Sequence, residues 1–274
     1  MARLDYGHIG IYNETALSLG DEDGSALATN SRGELIVPDY FTEVGSGTVP
    51  GVTPLLHASQ SPFIGTSFKT IWDVDGELSF PTAAETWEIV SSSTEDNPVG
   101  TGTVGVFITS LDGDYVTQSQ VVFLNGTTPV TLSGTHIRHQ QTIQIAAGSN
   151  EFNVGDITIR VSGGGAVRAR LLAGNGRTYN SYYTVPAGTV LVGTQVSAYT
   201  PKNEDAVIST QVRPLGGGWV PTSPDITVYN SSFVLPLKAG SNINEKTDLR
   251  VRAKSTNTDV TVGFILEGVI RATE

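Results

Sequence analysis

From Phe68 to Ile270 the chain is built of short runs in which apolar and polar residues alternate, separated by reversals that carry glycine. Thr142-Ile143-Gln144-Ile145-Ala146 and Ile157-Thr158-Ile159-Arg160-Val161 alternate strictly, which puts one face of each strand on a core and the other in water. Thr103–Thr109 and Tyr115–Leu124 flank Asp112-Gly113, residue types that tolerate the positive φ of a type I′ turn, and they form the clearest hairpin. Asn125-Gly126 and Pro129–Leu132 follow. Beyond Ser162-Gly163-Gly164-Gly165 come eight more strand candidates, from Val167–Leu172 to Val260–Ile270, the strand count of a jelly roll or similar sandwich. No segment of a dozen residues has helical periodicity, and only Ile11–Leu19 offers a turn of helix. The pattern predicts an all-β fold: a jelly-roll or β-sandwich body, as one large or two consecutive sandwiches, behind an extended N-terminal arm.

The arm is read over residues 1–65, where Gly20-Asp21-Glu22-Asp23-Gly24, Gly45-Ser46-Gly47, Pro50, Pro54 and Pro62 leave little room for a core. Within it, Leu27-Ala28-Thr29 and Glu34-Leu35-Ile36-Val37 flank Asn30-Ser31-Arg32-Gly33 as a small hairpin, too slight to stand alone. The three glycines at 163–165 are the candidate internal boundary, giving a sandwich over 66–162 and a jelly-roll-like domain over 163–274, although they fit a wide loop inside one domain equally.

Composition narrows the function classes. No apolar run approaches the roughly 20 residues of a spanning helix, and Met1-Ala2-Arg3-Leu4-Asp5 lacks an apolar signal core, so a soluble chain made in the cytoplasm is expected. Absence of cysteine removes disulfides, thiolate nucleophiles and Cys-ligated metals. A net charge of −11 argues against coating nucleic acid, which needs clustered Lys and Arg.

Several phrases together resemble virion structural proteins of tailed bacteriophages, especially marine phages and cyanophages. They are Ala28-Thr29-Asn30-Ser31-Arg32-Gly33-Glu34-Leu35; Glu85-Thr86-Trp87-Glu88-Ile89 with Asn125-Gly126-Thr127-Thr128-Pro129 and Asn153-Val154-Gly155-Asp156-Ile157; and Ala173-Gly174-Asn175-Gly176-Arg177-Thr178 with Tyr183–Thr189, Arg213–Gly217 and Glu245–Ala253. The resemblance covers most of the chain after residue 27 and keeps its order. It implies a capsid decoration or head-fibre type of subunit, β-sandwich or jelly roll, oligomeric, with no catalytic residues to carry over. Head, neck and tail all stay open as its position.

Candidate chemistry is sparse. His136 and His139 are the one close His pair, but i and i+3 on a strand point to opposite faces, so they read as ordinary sheet-surface groups. No Gly-x-Ser-x-Gly elbow is present. The acid pairs Asp73/Asp75, Asp112/Asp114 and Glu85/Glu88 could suit glycoside hydrolysis, or simply sit on turns. Asp21-Glu22-Asp23-Gly24 and Asp73-Val74-Asp75-Gly76 look like fragments of calcium loops without the spacing of an EF-hand. Trp219, after three glycines, and Tyr182 are the candidate glycan contacts, since an aromatic face packs against a pyranose ring. Arg168/Arg170 and Arg250/Arg252, spaced by two, share a sheet face and could pair with acids of a neighbouring subunit, or stay solvated.

The expectation is a non-enzymatic virion protein without cofactor, metal or catalytic residues. It would be a decoration, cement or fibre-like subunit whose arm binds a major capsid protein or a connector or tail protein, and whose body forms a homotrimer. Partners would include neither nucleic acid nor membrane. The alternatives are a receptor-binding or carbohydrate-binding adhesin of a tail or neck appendage, and a polysaccharide-degrading spike.

Overall fold

A computed structural model describes residues 17–18, 26–29, 35–36, 40–201, 203–229 and 232–273, in two compact units, Met1–Pro50 and Gly51–Glu274. In the first unit β1 (Leu17–Ser18), β2 (Ala26–Thr29) and β3 (Leu35–Ile36) form a small antiparallel sheet in that order. The hairpin expected around Asn30–Gly33 is present as Ala28 opposite Ile36 and Thr29 opposite Leu35; its turn lies outside the described residues. Leu17 and Ser18 are strand rather than the helical turn read at Ile11–Leu19, whose remaining residues also lie outside. A six-residue helix, α1 (Tyr40–Gly45), follows and stops at Gly47, whose φ of 75° suits a left-handed helix terminus.

The second unit is all-β and holds two sandwiches, one inserted into the other. The chain enters it through β4 (Val52–Ile64) and β5 (Lys69–Thr70). It then builds a first sandwich from β6 (Trp87–Ser91), β7 (Thr103–Leu111), β8 (Thr117–Phe123), β9 (Val130–Thr131), β10 (Arg138–Ala147), β11 (Ile157–Val161) and β12 (Val167–Leu171). Its sheets are β12-β11-β6-β9 and β10-β7-β8, closed over Trp87, Ile89, Val106, Ile108, Ile157 and Ile159.

The chain then returns as β13 (Tyr183–Thr184), β14 (Thr189–Tyr199), β15 (Asp205–Arg213), β16 (Val220–Pro221), β17 (Ile226–Tyr229), β18 (Ser232–Ile243), β19 (Asp248–Lys254) and β20 (Val260–Ala272). One sheet is β18-β14-β20-β4; in the other, β15 and β19 lie side by side. The short β5 and β13 both pair with β19, Thr70 against Arg252 and Tyr183 against Leu249. Between them Ser181 N–H donates to the Ile71 carbonyl, so β5 and β13 are two pieces of a single strand that opens at Trp72 to admit the inserted sandwich. Likewise β16 and β17 share the outer side of β15. Counted in chain order, the strands run sixth-third-eighth-first in one sheet and second-seventh-fourth-fifth in the other, the paired Greek keys of a jelly roll.

This topology moves both expected boundaries. Residues 52–64 are the first strand of the jelly roll, not arm, because β20 needs a partner and Val52 through Ile64 supply it, in register from Arg271 to Val260. Pro54 and Pro62 are tolerated there because β4 is an edge strand, where a missing N–H costs no ladder bond. The glycines at 163–165 are the turn of the β11–β12 hairpin, with Gly163 and Gly164 at φ near 80°, tied by Gly165 N–H to the Val161 carbonyl. They sit inside the first sandwich. The Asp112-Gly113 hairpin pairs as expected, but its left-handed residue is Tyr115 (φ 68°), and Asp112 Oδ1 accepts from the N–H groups of Asp114 and Val116.

Candidate functional site: a charged seam and an apolar face

The inserted sandwich is fixed to the jelly roll by a buried polar seam. Arg138, at the start of β10, donates Nε and Nη2 to the two oxygens of Asp248 at 2.7 and 3.0 Å, and Nη1 to the Pro81 carbonyl. Asp248 also takes Arg213 Nη2 at 2.6 Å and the Thr184 hydroxyl at 2.7 Å. Burial alone would raise the Asp248 carboxyl, but the hydrogen bonds and charge of Arg138, with Thr184 and Arg213, hold it below the usual carboxylate range. Phe80 packs against Arg138 and Arg213, 5.3 and 4.8 Å from ring to guanidinium.

Both expected glycan contacts belong to this seam. Tyr182 is buried, its hydroxyl donating to the Arg168 carbonyl at 2.7 Å and its ring edge-on to Trp72 and Phe80. It cannot meet a ligand from solvent. Trp219 lies on the other side of Phe80, 5.2 Å away, with Arg250 over its ring at 4.0 Å and Arg213 at 4.6 Å. The half-buried ring holds the exposed 214–218 loop against Phe80 and the two guanidinium groups.

The histidines and acids serve the same end. His136 and His139 are buried, not surface groups: His136 stacks on Trp87 at 4.7 Å and meets Ser110, whereas His139 meets Thr142 and, at 3.5 Å, the Tyr182 hydroxyl. Burial pushes His139 down to about 3 and His57 to about 4, so both are neutral. The acid pairs part company. Glu85 holds Arg168, Glu88 holds Arg160 and the N–H groups of Gly163 and Gly164, and Asp75 holds Lys69. Asp73 is buried with the Tyr179 N–H, and desolvation pushes it up to about 7. Asp73 and Asp75 thus do not converge on a cation, and among the described residues no group of three or more His, Asp or Glu could hold one. The fragment at 21–24 lies outside the described residues. Arg252 pairs with Glu77 and Arg168 with Glu85, so these arginines find acids within the chain.

Sequence reasoning missed Asp96. Fully buried, it accepts from Ser91 Oγ and from the N–H groups of Thr103, Val154 and Gly155, tying three loops at one end of the inserted sandwich. A cavity of about 350 Å³ also opens between the jelly-roll sheets, lined by Val196, Leu235, Leu237 and Phe264. Its only charged wall, Arg250, is taken up by Gln211 and Trp219.

The surface that stands apart is the outer face of β10-β7-β8. Ile143, Phe107 and Val121 lie opposite one another in a row across the three strands, 37, 38 and 52% exposed. In the next row Phe123 (60%) and Ile145 (48%) lean over Gly105, where an added Cβ would meet them at 3.2 and 3.6 Å. Thr109, Thr117 and Ser119 extend this face, and the only ionisable residues in the three strands, Arg138 and His139, are buried. Arg177 flanks it beyond Ile143, turned onto Tyr179. A contiguous apolar patch of roughly a few hundred Å² is the size of the largest on a typical soluble protein, and such patches often serve a contact.

No protein-family model and no curated protein sequence matches the chain. Among solved structures, one described as the triple jelly roll fold and turret assembly in an archaeal virus aligns with a TM-score of 0.22 and 13% identity, over 81% of this chain and 58% of that one. This chain therefore spans less than two thirds of that archaeal virus protein. The T13 viral particle of infectious bursal disease virus aligns with a TM-score of 0.23 and 8% identity, over 85% of this chain and 74% of the other. The Gt strain of the same virus gives 0.21 and 10%, over 85% and 77%. Superpositions this loose carry no inference about role, and the jelly-roll assignment rests on this chain's own strand order.

Proposed function

We propose that this chain is a non-enzymatic structural subunit of a virus particle, of the capsid decoration or head-fibre type in tailed bacteriophages. Its N-terminal unit attaches it to a capsid or connector protein, and its β body associates with further copies of itself. The observation that carries the reading is the uncharged apolar face of β10-β7-β8 on a chain of net charge −11, a surface built for contact. The ordered phrases that resemble phage virion proteins support a bacteriophage particle as its setting. The ionisable groups that could have done chemistry hold strands and loops together instead. Of the two contacts named for the glycan-binding alternative, Tyr182 is buried, and Trp219 is half-buried with Arg250 over its ring.

The test is to purify particles of the virus that encodes the chain and probe them by mass spectrometry and with an antibody against the whole protein. The chain should be present in fixed stoichiometry and the antibody should decorate the outside of the particle. Its absence from particles, or release of reducing sugar from host polysaccharide by the pure protein, would overturn the proposal.

A further inference from the structure

We infer that the outer face of β10-β7-β8 is a twofold contact, on which a second copy of this chain packs its own β10-β7-β8 face. The inference rests on the self-association just proposed and names its surface. Three observations point to a copy of the same chain as the occupant. In a twofold contact each patch meets itself, so any charge near the axis faces its like. The exposed positions of these three strands carry none, although two copies of net charge −11 repel over the rest of their surfaces. A foreign partner would place no such restriction on the face, and an acidic chain would more readily recruit one through its carboxylates.

The second observation is shape. The face is an antiparallel sheet with side chains in level rows, and its opposite side already packs face to face on β12-β11-β6-β9. Sheets pack this way about 10 Å apart, so the outer face can repeat with a copy what the inner face does within the chain. The third is area. An apolar centre of roughly a few hundred Å² per copy lies at the small end of specific interfaces, the size of a weak and reversible pair; Ser119 edges it, and Thr109 and Thr117 border it where it meets Leu56 and Pro186. The sequence leads to the expectation of a homotrimer, but a level, self-complementary face fits a pair. Phe107, on the middle strand, lies nearest the axis.

Sedimentation of the whole protein tests this from about 1 to about 100 µM. The wild type should shift from monomer to dimer across that range. Phe107→Lys and Phe107→Glu should each weaken association at least about tenfold, and an equimolar mixture of the two should recover it, because only a symmetric contact near Phe107 turns repulsion into pairing. The mixture also excludes misfolding as the cause, and Val121→Lys, on a 52% exposed residue, provides a second disrupting variant. Wild type that remains monomeric throughout overturns the inference. If all variants associate like the wild type, or the mixture fails to recover, self-association runs through another surface: the face is then refuted while the particle-subunit reading stands. Absence of the chain from particles would refute that reading alone.

Discussion

The strand β10 joins two regions of opposite character. At its start Arg138 is buried in the charged seam, and a few residues further along the strand Ile143 and Ile145 lie on the exposed apolar face. The molecule thus buries charge where its own two sandwiches meet and exposes hydrocarbon where nothing of the described chain covers it. The difference separates two tasks. A buried ion pair with fixed hydrogen-bond directions specifies one orientation between two bodies at little net gain in stability, whereas an apolar face gives non-directional attraction to whatever matches its shape.

The strongest way to break that contrast is at the seam. Asp248→Asn should destabilise the protein by about 3 kcal/mol in urea unfolding, because it strands the guanidinium of Arg138 in the interior. The triple change Arg138→Met, Arg213→Met and Asp248→Leu should recover most of the loss, since it removes the three charges of the seam together. Recovery that failed would mean the cluster supplies stability and not merely orientation. The same carboxyl makes the seam acid-labile. Its folded pKa lies below the ordinary 3.8, so its stabilisation is complete above that value and is lost as pH falls through the folded pKa.

Asp73, a buried acid whose carboxyl takes the Tyr179 N–H, should behave in the opposite sense. Unfolded, it ionises near 3.8; folded, near 7. Above about 7 both states are ionised and the folded state bears the whole desolvation cost; as pH falls toward 4 the folded carboxyl takes up a proton and the cost disappears. Asp73→Asn should therefore stabilise the protein by on the order of 3 kcal/mol at pH 8 and by almost nothing at pH 4. Equal effects at both pH values would refute the assigned shift.

Neighbouring residues of β7 sharpen the contrast further. Ile108, fully buried, should cost about 2–5 kcal/mol on truncation to alanine. Phe107, next to it but facing out, should change unfolding of the dilute monomer by about 0.5 kcal/mol or less when replaced by threonine. A large loss from Phe107→Thr would show that the outer face supports the fold and is not free for a partner.

Much of the fold was legible because the period of two is local: the strands from Thr103 to Ala147 and the hairpin at Ala26–Ile36 declare themselves within a few residues. What was not legible depends on distant pairing. The prolines of β4 read as breakers until its position at a sheet edge is known, and three glycines read alike as a linker or a tight hairpin turn. The split second strand is invisible because its halves, more than a hundred residues apart in sequence, are aligned by β19 and by the Ser181–Ile71 hydrogen bond. The seam joins residues 110 positions apart, with no local signature at either end. Tyr182, between Ser181 and Tyr183, reads as a surface contact in sequence, whereas its hydroxyl is spent on the Arg168 carbonyl 14 residues upstream. The apolar face did leave a sign: Val121-Val122-Phe123-Leu124 is apolar on both sides of an edge strand that needs only one buried side.

The pairing of β4 with β20 has a consequence for how the chain is born. Ser59 donates its hydroxyl to the Phe264 carbonyl, 205 residues downstream, so during synthesis the first strand must wait with an open edge until the last one leaves the ribosome. The inserted sandwich completes its strands at Leu171, and residues 176–178 close the edge of β10 soon after. It can fold early, while the jelly roll closes only once translation of Val260–Ala272 is finished, a division of labour in time set by the loop entropy of its longest contact.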